Sequence, residues 1–166
     1  YRLRGRCPTV ALSTDIIVGF PGETDGEFDE TLELLREVEY DDIYSFTYSP
    51  RPQTVSAKIY SDDVPDGVKK ERLKIVQTLQ REISLTKNRH RIGGSEEVLV
   101  DGPSKLKAEQ VMGRTRSNRI VNLTGSIDLI GEFVQVRIIG ATANSLLGEL
   151  TCVNAVLESQ QEGDRQ

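Results

Sequence analysis

The chain has 166 residues, of which 37% are hydrophobic and 28% are charged, and its formal net charge is −5 at pH 7. This composition is that of a globular protein and excludes wholesale disorder, while no run approaches the roughly 18 consecutive apolar residues that a membrane-spanning helix needs. We therefore expect one compact domain or two small ones, with no membrane partner.

The first predicted element is a strand that ends in a loop rich in glycine and proline. The segment ALSTDIIVG contains the consecutive residues Ile16, Ile17 and Val18, which are typical of a parallel strand buried on both faces. The loop Gly19–Glu23 follows. After it, Thr24 and Glu27 have the spacing of a capping box, which predicts the start of a helix.

A helix and a second strand are predicted to complete a βαβ unit. Phe28, Leu32, Leu35 and Val38 recur at helical spacing and predict the buried stripe of that helix. The run from Ile43 to Tyr48 is aromatic and β-branched, as strands are. Strand, helix and strand with short links predict a parallel crossover. Two such strands leave the sheet edges open and one face uncovered, so the sequence implies further strands upstream.

One long helix is predicted from Pro65 to Ile92, because proline suits a first turn and Gly93-Gly94 end a helix. We expect an apolar stripe on its buried side, formed by Val68, Ile75, Val76, Leu79 and Ile83. We expect its basic residues to form a solvated face, namely Lys69, Lys70, Arg72 and Lys74.

The last third of the chain predicts a small β-barrel. Alternating segments occur in EEVLVD, RIVNL, FVQVRII and LLGELT, separated by Gly, Pro, Asn and Ser. Four or five short strands of this kind predict an OB-like barrel over residues 93–155, followed by a disordered tail over residues 156–166. The predicted fold class is therefore α/β plus all-β.

Cysteine and histidine offer little for chemistry. Cys7 and Cys152 lie far apart and belong to no CxxC or Cys/His ligand pattern, and His90 is the only histidine. Because nothing in the sequence indicates secretion, we expect two free thiols in the cytoplasm rather than a disulfide. No catalytic residue and no metal ligand is predicted in this chain.

Two loops are predicted at the same end of the parallel sheet. They are Gly19–Glu23 and Ser49–Thr54, and ligands in α/β folds bind beyond the carboxyl ends of strands. Glycines at 19 and 22 would let the backbone approach a ligand closely, and Arg51 could pair with a phosphate or carboxylate. On composition alone, a ligand site and an ordinary Gly-Pro turn both remain open.

Several long motifs together resemble one enzyme family. TDIIVGFPGET, YSPRPQT, KKERL and EVLVDGPSK…MGRTRSNRIVN are similar, in order and spacing, to the radical S-adenosylmethionine methylthiotransferases over roughly residues 11–151. The resemblance implies that residues 1–92 are the C-terminal part of a partial (βα)6 barrel with its closing helix. It implies that residues 93–155 are a TRAM domain, an RNA-binding β-barrel.

Within that family, YSPRP and MGRTR are closest to the tRNA enzymes, which add a 2-methylthio group to N6-isopentenyladenosine beside the anticodon. Gln53 replaces the family's usual glycine. Two alternatives remain: a sister enzyme that modifies an aspartate of a ribosomal protein, and a non-catalytic RNA-binding module.

The resemblance also implies cofactors and the residues that contact them. S-adenosylmethionine would lie against the two loops, at Ile17, Gly19, Phe20, Glu23, Tyr48, Ser49 and Pro50, with Arg51 on a substrate loop. The family carries two 4Fe–4S clusters, one on a CxxxCxxC loop and one on three further cysteines, and neither set occurs in this sequence. We therefore expect a C-terminal piece of the enzyme that is inactive alone.

A basic strip runs through the predicted barrel. Between Pro103 and Thr124, five basic residues face only Glu109, although the chain as a whole is acidic. With two asparagines, these residues could contact the phosphates of a tRNA anticodon stem-loop: Lys105, Lys107, Arg114, Arg116, Asn118, Arg119 and Asn122. A solvated barrel surface is the alternative. We expect a cytoplasmic monomer.

Overall fold

The computed structural model describes residues 2–104 and 110–153. The contacts divide the chain into one unit of residues 1–91 with 141–144, and a second unit of residues 92–140 with residue 145 onwards. The predicted tail, residues 156–166, lies outside the described residues. None of the helices described is both long enough and apolar enough to cross a membrane.

The first unit contains the predicted βαβ arrangement. Strands β1 and β2 pair in parallel, with Ser13 opposite Asp42 and Val18 opposite Thr47, and a helix connects them. The elements in chain order are α1 (Arg2–Arg6), β1 (Ser13–Val18), α2 (Asp25–Val38), β2 (Asp42–Thr47), α3 (Val55–Ile59) and α4 (Asp66–Arg89).

The capping box at the start of α2 is present as the sequence predicts. The Thr24 side chain accepts a hydrogen bond from the Glu27 amide at 3.2 Å, and the Glu27 carboxylate accepts one from the Thr24 amide at 2.8 Å. Each side chain thereby satisfies an amide that a helix start would otherwise leave unpaired. Phe28, Leu32 and Leu35 of the predicted stripe are buried in a core with Val18 and Val76, whereas Val38 is half-buried.

Helices cover only one face of the β1–β2 sheet. Ile16 and Ile43 pack against the core, whereas Ile17, Tyr44 and Phe46 point to the other face and are 55%, 58% and 54% exposed. Successive side chains of a strand alternate between faces, so a layer of helices on one side buries every second residue. The prediction that Ile16–Val18 are buried on both faces is therefore wrong within this chain.

The buried side of α4 differs from the predicted stripe. Val76 is fully buried, but Val68 and Ile75 are 38% and 39% exposed. Instead, Lys69 and Arg72 are buried, so the predicted solvated basic face is wrong at these two positions. Both residues lie on the same face as Val76 at intervals of three and four residues, and that face meets acidic residues of the neighbouring loops.

The second unit is a closed five-stranded barrel. Its strands are β3 (Ser95–Pro103), β4 (Gln110–Thr115), β5 (Ile120–Thr124), β6 (Phe133–Ala141) and β7 (Leu146–Val153), closed in the order β3-β4-β5-β7-β6. Strand β3 pairs antiparallel with β4 and β6, β4 pairs antiparallel with β5, and β5 pairs in parallel with β7. This is the small β-barrel that the sequence predicts.

The barrel interior is filled by β-branched and leucine side chains, and two glycines make room for them. A β-carbon on Gly148 would lie 2.1 Å from Cγ1 of Val136, and one on Gly113 would lie 2.2 Å from the carbonyl oxygen of Leu99. Neither contact is sterically possible. The fully buried side chains include Val98, Val100, Val111, Val121, Leu123, Val134, Val136 and Ile138.

Candidate cofactor loop and nucleic-acid surface

The loop after β1 closes around the carboxylate of Glu23. Oε2 of Glu23 accepts a hydrogen bond from the Gly19 amide at 2.6 Å, and the Glu23 amide donates to the Phe20 carbonyl at 2.9 Å. Gly19 and Gly22 both have positive φ, at 70° and 83°, a conformation that glycine adopts without steric cost. The carboxylate of Glu23 is thus bonded within its own loop.

Arg72 of α4 binds the same carboxylate. Its Nη1 donates to Oε2 of Glu23 at 2.6 Å and to the Glu23 carbonyl at 3.0 Å, and its Nη2 donates to Oδ1 of Asp25 at 2.7 Å. Burial alone would lower the pKa of Arg72, but its hydrogen bonds to the carboxylates of Asp25 and Glu23, and the charges of those carboxylates, outweigh burial, so the pKa is raised. Arg72 therefore stays charged, and the Glu23 carboxylate is held by hydrogen bonds within the protein.

Lys69 explains why a glycine stands at position 19. A β-carbon there would lie 2.3 Å from Cγ of Lys69. Nζ of Lys69 pairs with Asp62 at 2.5 Å and lies 5.5 Å from the centre of the Tyr48 ring. The close approach that glycine permits at this position is therefore to the Lys69 side chain. At Gly22 no atom lies within 4 Å of an added β-carbon.

An aromatic cluster lies where β1 and β2 end. The Phe20 ring meets Tyr48 edge-on at 5.0 Å and Tyr60 at 6.0 Å between ring centres. Tyr48 is buried and its amide donates to the Val18 carbonyl. Its hydroxyl has no hydrogen-bond partner within the part of the chain that is described. Phe20 and Tyr60 remain 41% and 53% exposed, so the cluster presents ring surface outwards.

The other predicted cofactor and substrate positions are spread around this cluster. Ile17 lies on the open sheet face opposite Phe46. Ser49, Pro50 and Arg51 follow Tyr48 and are exposed. The structure therefore brings Phe20 and Tyr48 into contact and uses Gly19 and Glu23 for the loop itself. The remaining predicted residues, Ile17, Ser49, Pro50 and Arg51, are exposed near the aromatic cluster.

Gln53 has a backbone conformation that favours glycine. Its φ is 74°, in the left-handed region that side chains with a β-carbon rarely adopt. It lies in the turn in which the Thr54 amide donates to the Arg51 carbonyl at 3.2 Å, and Thr54 then caps α3 by accepting from the Ala57 amide. The turn keeps its shape with glutamine in place.

In the barrel, three of the predicted RNA-binding residues meet at the turn between β4 and β5. Nε of Arg114 lies 3.1 Å from Oδ2 of Asp101, and its Nη1 donates to Oδ1 of Asn118 at 3.0 Å. Nε of Arg116 lies 2.8 Å from Oε1 of Glu97. The Arg116 side chain is 86% exposed. Both guanidinium groups are oriented by carboxylates of β3 while remaining open to solvent.

Two other predicted RNA contacts are buried instead. Asn122 is 5% exposed and its Oδ1 accepts from Oγ of Ser104, while Arg119 is 9% exposed and its amide donates to Oγ1 of Thr115. Asn122 lies in β5 and is bonded to Ser104, the residue after β3, whereas Arg119 lies in the turn that precedes β5. These two positions are not the surface contacts that were expected. Lys105 and Lys107 lie outside the described residues.

The most important residues that the sequence analysis missed are Lys69, Arg72 and their carboxylate partners. The available signal was helical spacing: Lys69 and Arg72 lie seven and four residues before Val76, on one helical face. The sequence predicted an apolar stripe for the buried side of α4, so the two buried cations there were missed. Among the described residues, no cluster of three or more His, Cys, Asp or Glu side chains could hold a metal ion, and Cys7 and Cys152 are exposed and form no disulfide.

Comparison with known proteins covers both units. Residues 89–151 match the TRAM domain family. The chain is 51% identical, over 148 residues, to tRNA-2-methylthio-N(6)-dimethylallyladenosine synthase of Clostridium botulinum strain Langeland, a match that covers 89% of this chain and 33% of that protein. It is 49% identical over 149 residues to the protein of the same name from Syntrophobacter fumaroxidans, covering 90% of this chain and 32% of the relative.

The protein of that name from Geobacillus kaustophilus is 48% identical over 162 residues, which are 98% of this chain and 30% of the relative. The chain thus spans about a third of the length of the curated relatives it matches. The resemblance of the motifs is confirmed as a similarity: residues 89–151 match the TRAM domain family, and the chain is 48% to 51% identical, over the third of their length that it spans, to proteins named tRNA-2-methylthio-N(6)-dimethylallyladenosine synthase.

Proposed function

We propose that this chain works as part of a tRNA methylthiotransferase, which adds a 2-methylthio group to N6-(dimethylallyl)adenosine next to the anticodon. The observation that carries the proposal is the extent of the similarity. Identity near 50% runs through 89% to 98% of the chain, so it includes the βαβ unit as well as the barrel. In this proposal residues 1–92 are the C-terminal part of a radical S-adenosylmethionine barrel, and residues 93–155 are its RNA-binding domain.

The first unit fits one side of an S-adenosylmethionine site. Phe20 and Tyr60 offer exposed ring surface, on which an adenine can stack. Ile17 adds an apolar side chain at the end of β1, and the space beside Gly22 is open. These residues would bind and orient the cofactor and exclude water from it. The bound cofactor, together with an iron–sulfur cluster, supplies the radical chemistry.

The open face of the β1–β2 sheet supports the same proposal. Asp15, Ile17, Tyr44 and Phe46 point to that face and are exposed. In a (βα)n barrel the helices lie outside and the opposite sheet face lines the interior. The described arrangement, with helices on one side only, is the one expected of barrel strands. The two 4Fe–4S clusters would be held by cysteines in parts of the enzyme that this chain does not span.

The barrel is proposed to bind the anticodon stem-loop through the turn between β4 and β5. Arg116 is exposed and Arg114 is half-buried, and Glu97 and Asp101 hold their Nε sides. A guanidinium group has five donors, so each still has N–H groups to offer to a phosphate oxygen. Such contacts fix the position of an RNA without reading its bases.

A chimeric enzyme tests the proposed function. This chain would replace the matching 30% of the Geobacillus kaustophilus relative, and the chimera would be produced in cells that lack their own methylthiotransferase. We expect mass spectrometry of the tRNA nucleosides to detect 2-methylthio-N6-dimethylallyladenosine. A matched chimera with Arg114→Ala and Arg116→Ala should form much less of it.

A folded chimera that binds S-adenosylmethionine but leaves the dimethylallyladenosine unmodified would contradict the proposal. A mass increase on a ribosomal protein in the same cells would favour the ribosomal-protein alternative. Binding of tRNA by the chain, with neither modification in the chimera, would favour a non-catalytic RNA-binding module.

A further inference from the structure

Helix α4 buries two cations beneath the loop that follows β1. Lys69 is 2% exposed and Arg72 is 5% exposed, and they lie one helical turn apart. Burying an ionised side chain costs several kcal/mol unless it is paired and hydrogen-bonded. Apolar residues would fill a helix face at lower cost. The contacts of these two side chains therefore show which groups the buried charges hold in place.

Arg72 connects the two ends of the loop. Its planar guanidinium reaches Glu23, the last residue of the loop, and Asp25, the first residue of α2. The Glu23 oxygen that it binds also accepts the Gly19 amide, at the other end of the loop. Arg72 thus holds the Glu23 carboxylate in place, and that carboxylate holds the amide of Gly19, where the loop begins. A lysine could not make the two-sided contact, because its ammonium group is a single point of charge.

Lys69 supports the same loop from below. Its stem lies directly under Gly19, and its ammonium group binds Asp62. The next residue, Asp63, accepts a hydrogen bond from the Gly22 amide at 2.8 Å. Three points of the loop are therefore held by residues of α4 and of the segment that leads into it.

We propose that Arg72, aided by Lys69, is a positioning residue that holds the Gly19–Glu23 loop in its binding shape before any cofactor arrives. That the loop faces S-adenosylmethionine rests on the function proposed above; the support of the loop rests on the contacts alone. Glu23 then acts on the cofactor only through the loop, as an internal hydrogen-bond acceptor.

Amide hydrogen exchange in this chain tests the support of the loop. In Arg72→Gln, we expect the Gly19 amide to exchange at least tenfold faster relative to the core amide of Leu35, which reports global opening. Arg81→Gln, an exposed arginine on the same helix, is the matched control and should leave the ratio unchanged. Arg72→Lys keeps the charge and the fold, and it should still raise the ratio.

Coupling between the partners gives a second readout. Glu23→Gln should raise the same ratio, and the double variant should add little to either single variant, because both changes break one network. An unchanged ratio in both Arg72→Gln and Arg72→Lys, or full additivity in the double variant, would overturn the proposal.

The cofactor assignment is tested separately in the chimeric enzyme. Arg72→Lys should raise the KM for S-adenosylmethionine several-fold with a smaller change in kcat, since it loosens a binding loop. A loosened loop with an unchanged KM would overturn the link to the cofactor. A fully active chimera whose Gly19 exchange does not respond to Arg72 would overturn this inference while leaving the proposed function in place.

Discussion

A β-carbon at Gly19 would lie 2.3 Å from Cγ of Lys69, so the first glycine of the GFPGE loop is required by a lysine of a distant helix. Lys69 in turn ends at Asp62, which precedes that helix. The glycine that suggested a ligand-binding loop is therefore explained within the protein. In the proposed function, S-adenosylmethionine contacts the exposed side of the same loop, where Phe20 lies.

Replacing Gly19 should cost more stability than replacing Gly22. Both have positive φ, which costs about 1–2 kcal/mol for a residue with a β-carbon. Gly19→Ala also collides with the buried Lys69 stem, whereas Gly22→Ala meets no atom within 4 Å. Urea unfolding of the two variants measures the difference, and equal losses would show that Lys69 moves aside at little cost.

Gln53→Gly should stabilise the chain. Gln53 has a φ of 74°, and glycine removes the strain of a left-handed side-chain-bearing residue, by about 1 kcal/mol. The gain is reduced because glycine also raises the conformational entropy of the unfolded chain. Thermal unfolding of the variant should show a higher midpoint. A lower midpoint would mean that the glutamine side chain makes a compensating contact.

Loss of the capping box should appear both as a stability change and as a change in its pH dependence. Thr24→Ala should destabilise the first unit by about 1 kcal/mol at neutral pH. The pKa of Glu27 is lowered, first because its carboxylate accepts hydrogen bonds from the backbone and side chain of Thr24. A lowered native pKa favours the ionised form, so this stabilisation is present above about pH 4.5 and is lost as the pH falls through the lowered value.

The free energy of unfolding of wild type and of Thr24→Ala, measured from pH 7 to pH 3, tests this pH dependence. The two proteins should differ most at neutral pH, and the difference should shrink in acid without vanishing, because the bond from the Glu27 amide to Oγ1 of Thr24 does not titrate. A difference that stays constant over the whole range would show that the bond from Oγ1 of Thr24 to the Glu27 carboxylate adds no measurable stability.

Gly148→Ala should destabilise the barrel strongly. Its β-carbon would lie 2.1 Å from Cγ1 of Val136 and 3.2 Å from Cγ1 of Val121, and overpacking a filled core costs about 1–3 kcal/mol. Gly102→Ala is the matched control, because a β-carbon there meets nothing within 4 Å and its φ is not positive. Guanidinium unfolding, monitored by an NMR signal of the barrel, measures the loss of stability in each of the two variants. Similar losses would mean that strand β7 can shift outwards.

RNA binding by the barrel should depend on salt through Arg114 and Arg116. If Arg114 and Arg116 each contact a phosphate, the double alanine variant should lower the slope of log affinity against log salt by about 1.4–1.8. Arg137→Ala, an exposed arginine on β6, is the control. The measurement is fluorescence anisotropy of a labelled anticodon stem-loop, and an equal slope in wild type and double variant would exclude these contacts.

The sequence predicted most of the fold because its signals were local. The capping box at Thr24 and Glu27, the stripe of α2 and the parallel pairing of two short strands all depend on spacing along the chain. Strand β4 was harder to identify, because Gly113 interrupts its pattern. The glycine is required there by the Leu99 carbonyl, which the pairing of β3 with β4 brings near.

The candidate site was predicted less well, since its contacts join residues far apart in sequence. Glu23 and Arg72 are 49 positions apart, and no spacing rule relates a loop carboxylate to a distant guanidinium. The expected basic face of α4 was wrong at Lys69 and Arg72 for the same reason. In the barrel, Asn122 is buried where it accepts a hydrogen bond from Ser104, 18 positions away in the sequence, which the local alternation of residues does not reveal.

The uncovered sheet face has a practical consequence for work with this chain. Ile17, Tyr44 and Phe46 form an exposed apolar surface on a two-stranded sheet, and β1 and β2 are each paired on one edge only. Such surfaces and strand edges promote self-association of a protein in solution. Light scattering at increasing concentration should therefore accompany every binding experiment on the isolated chain, and Phe46→Lys offers a simple route to a better-behaved sample.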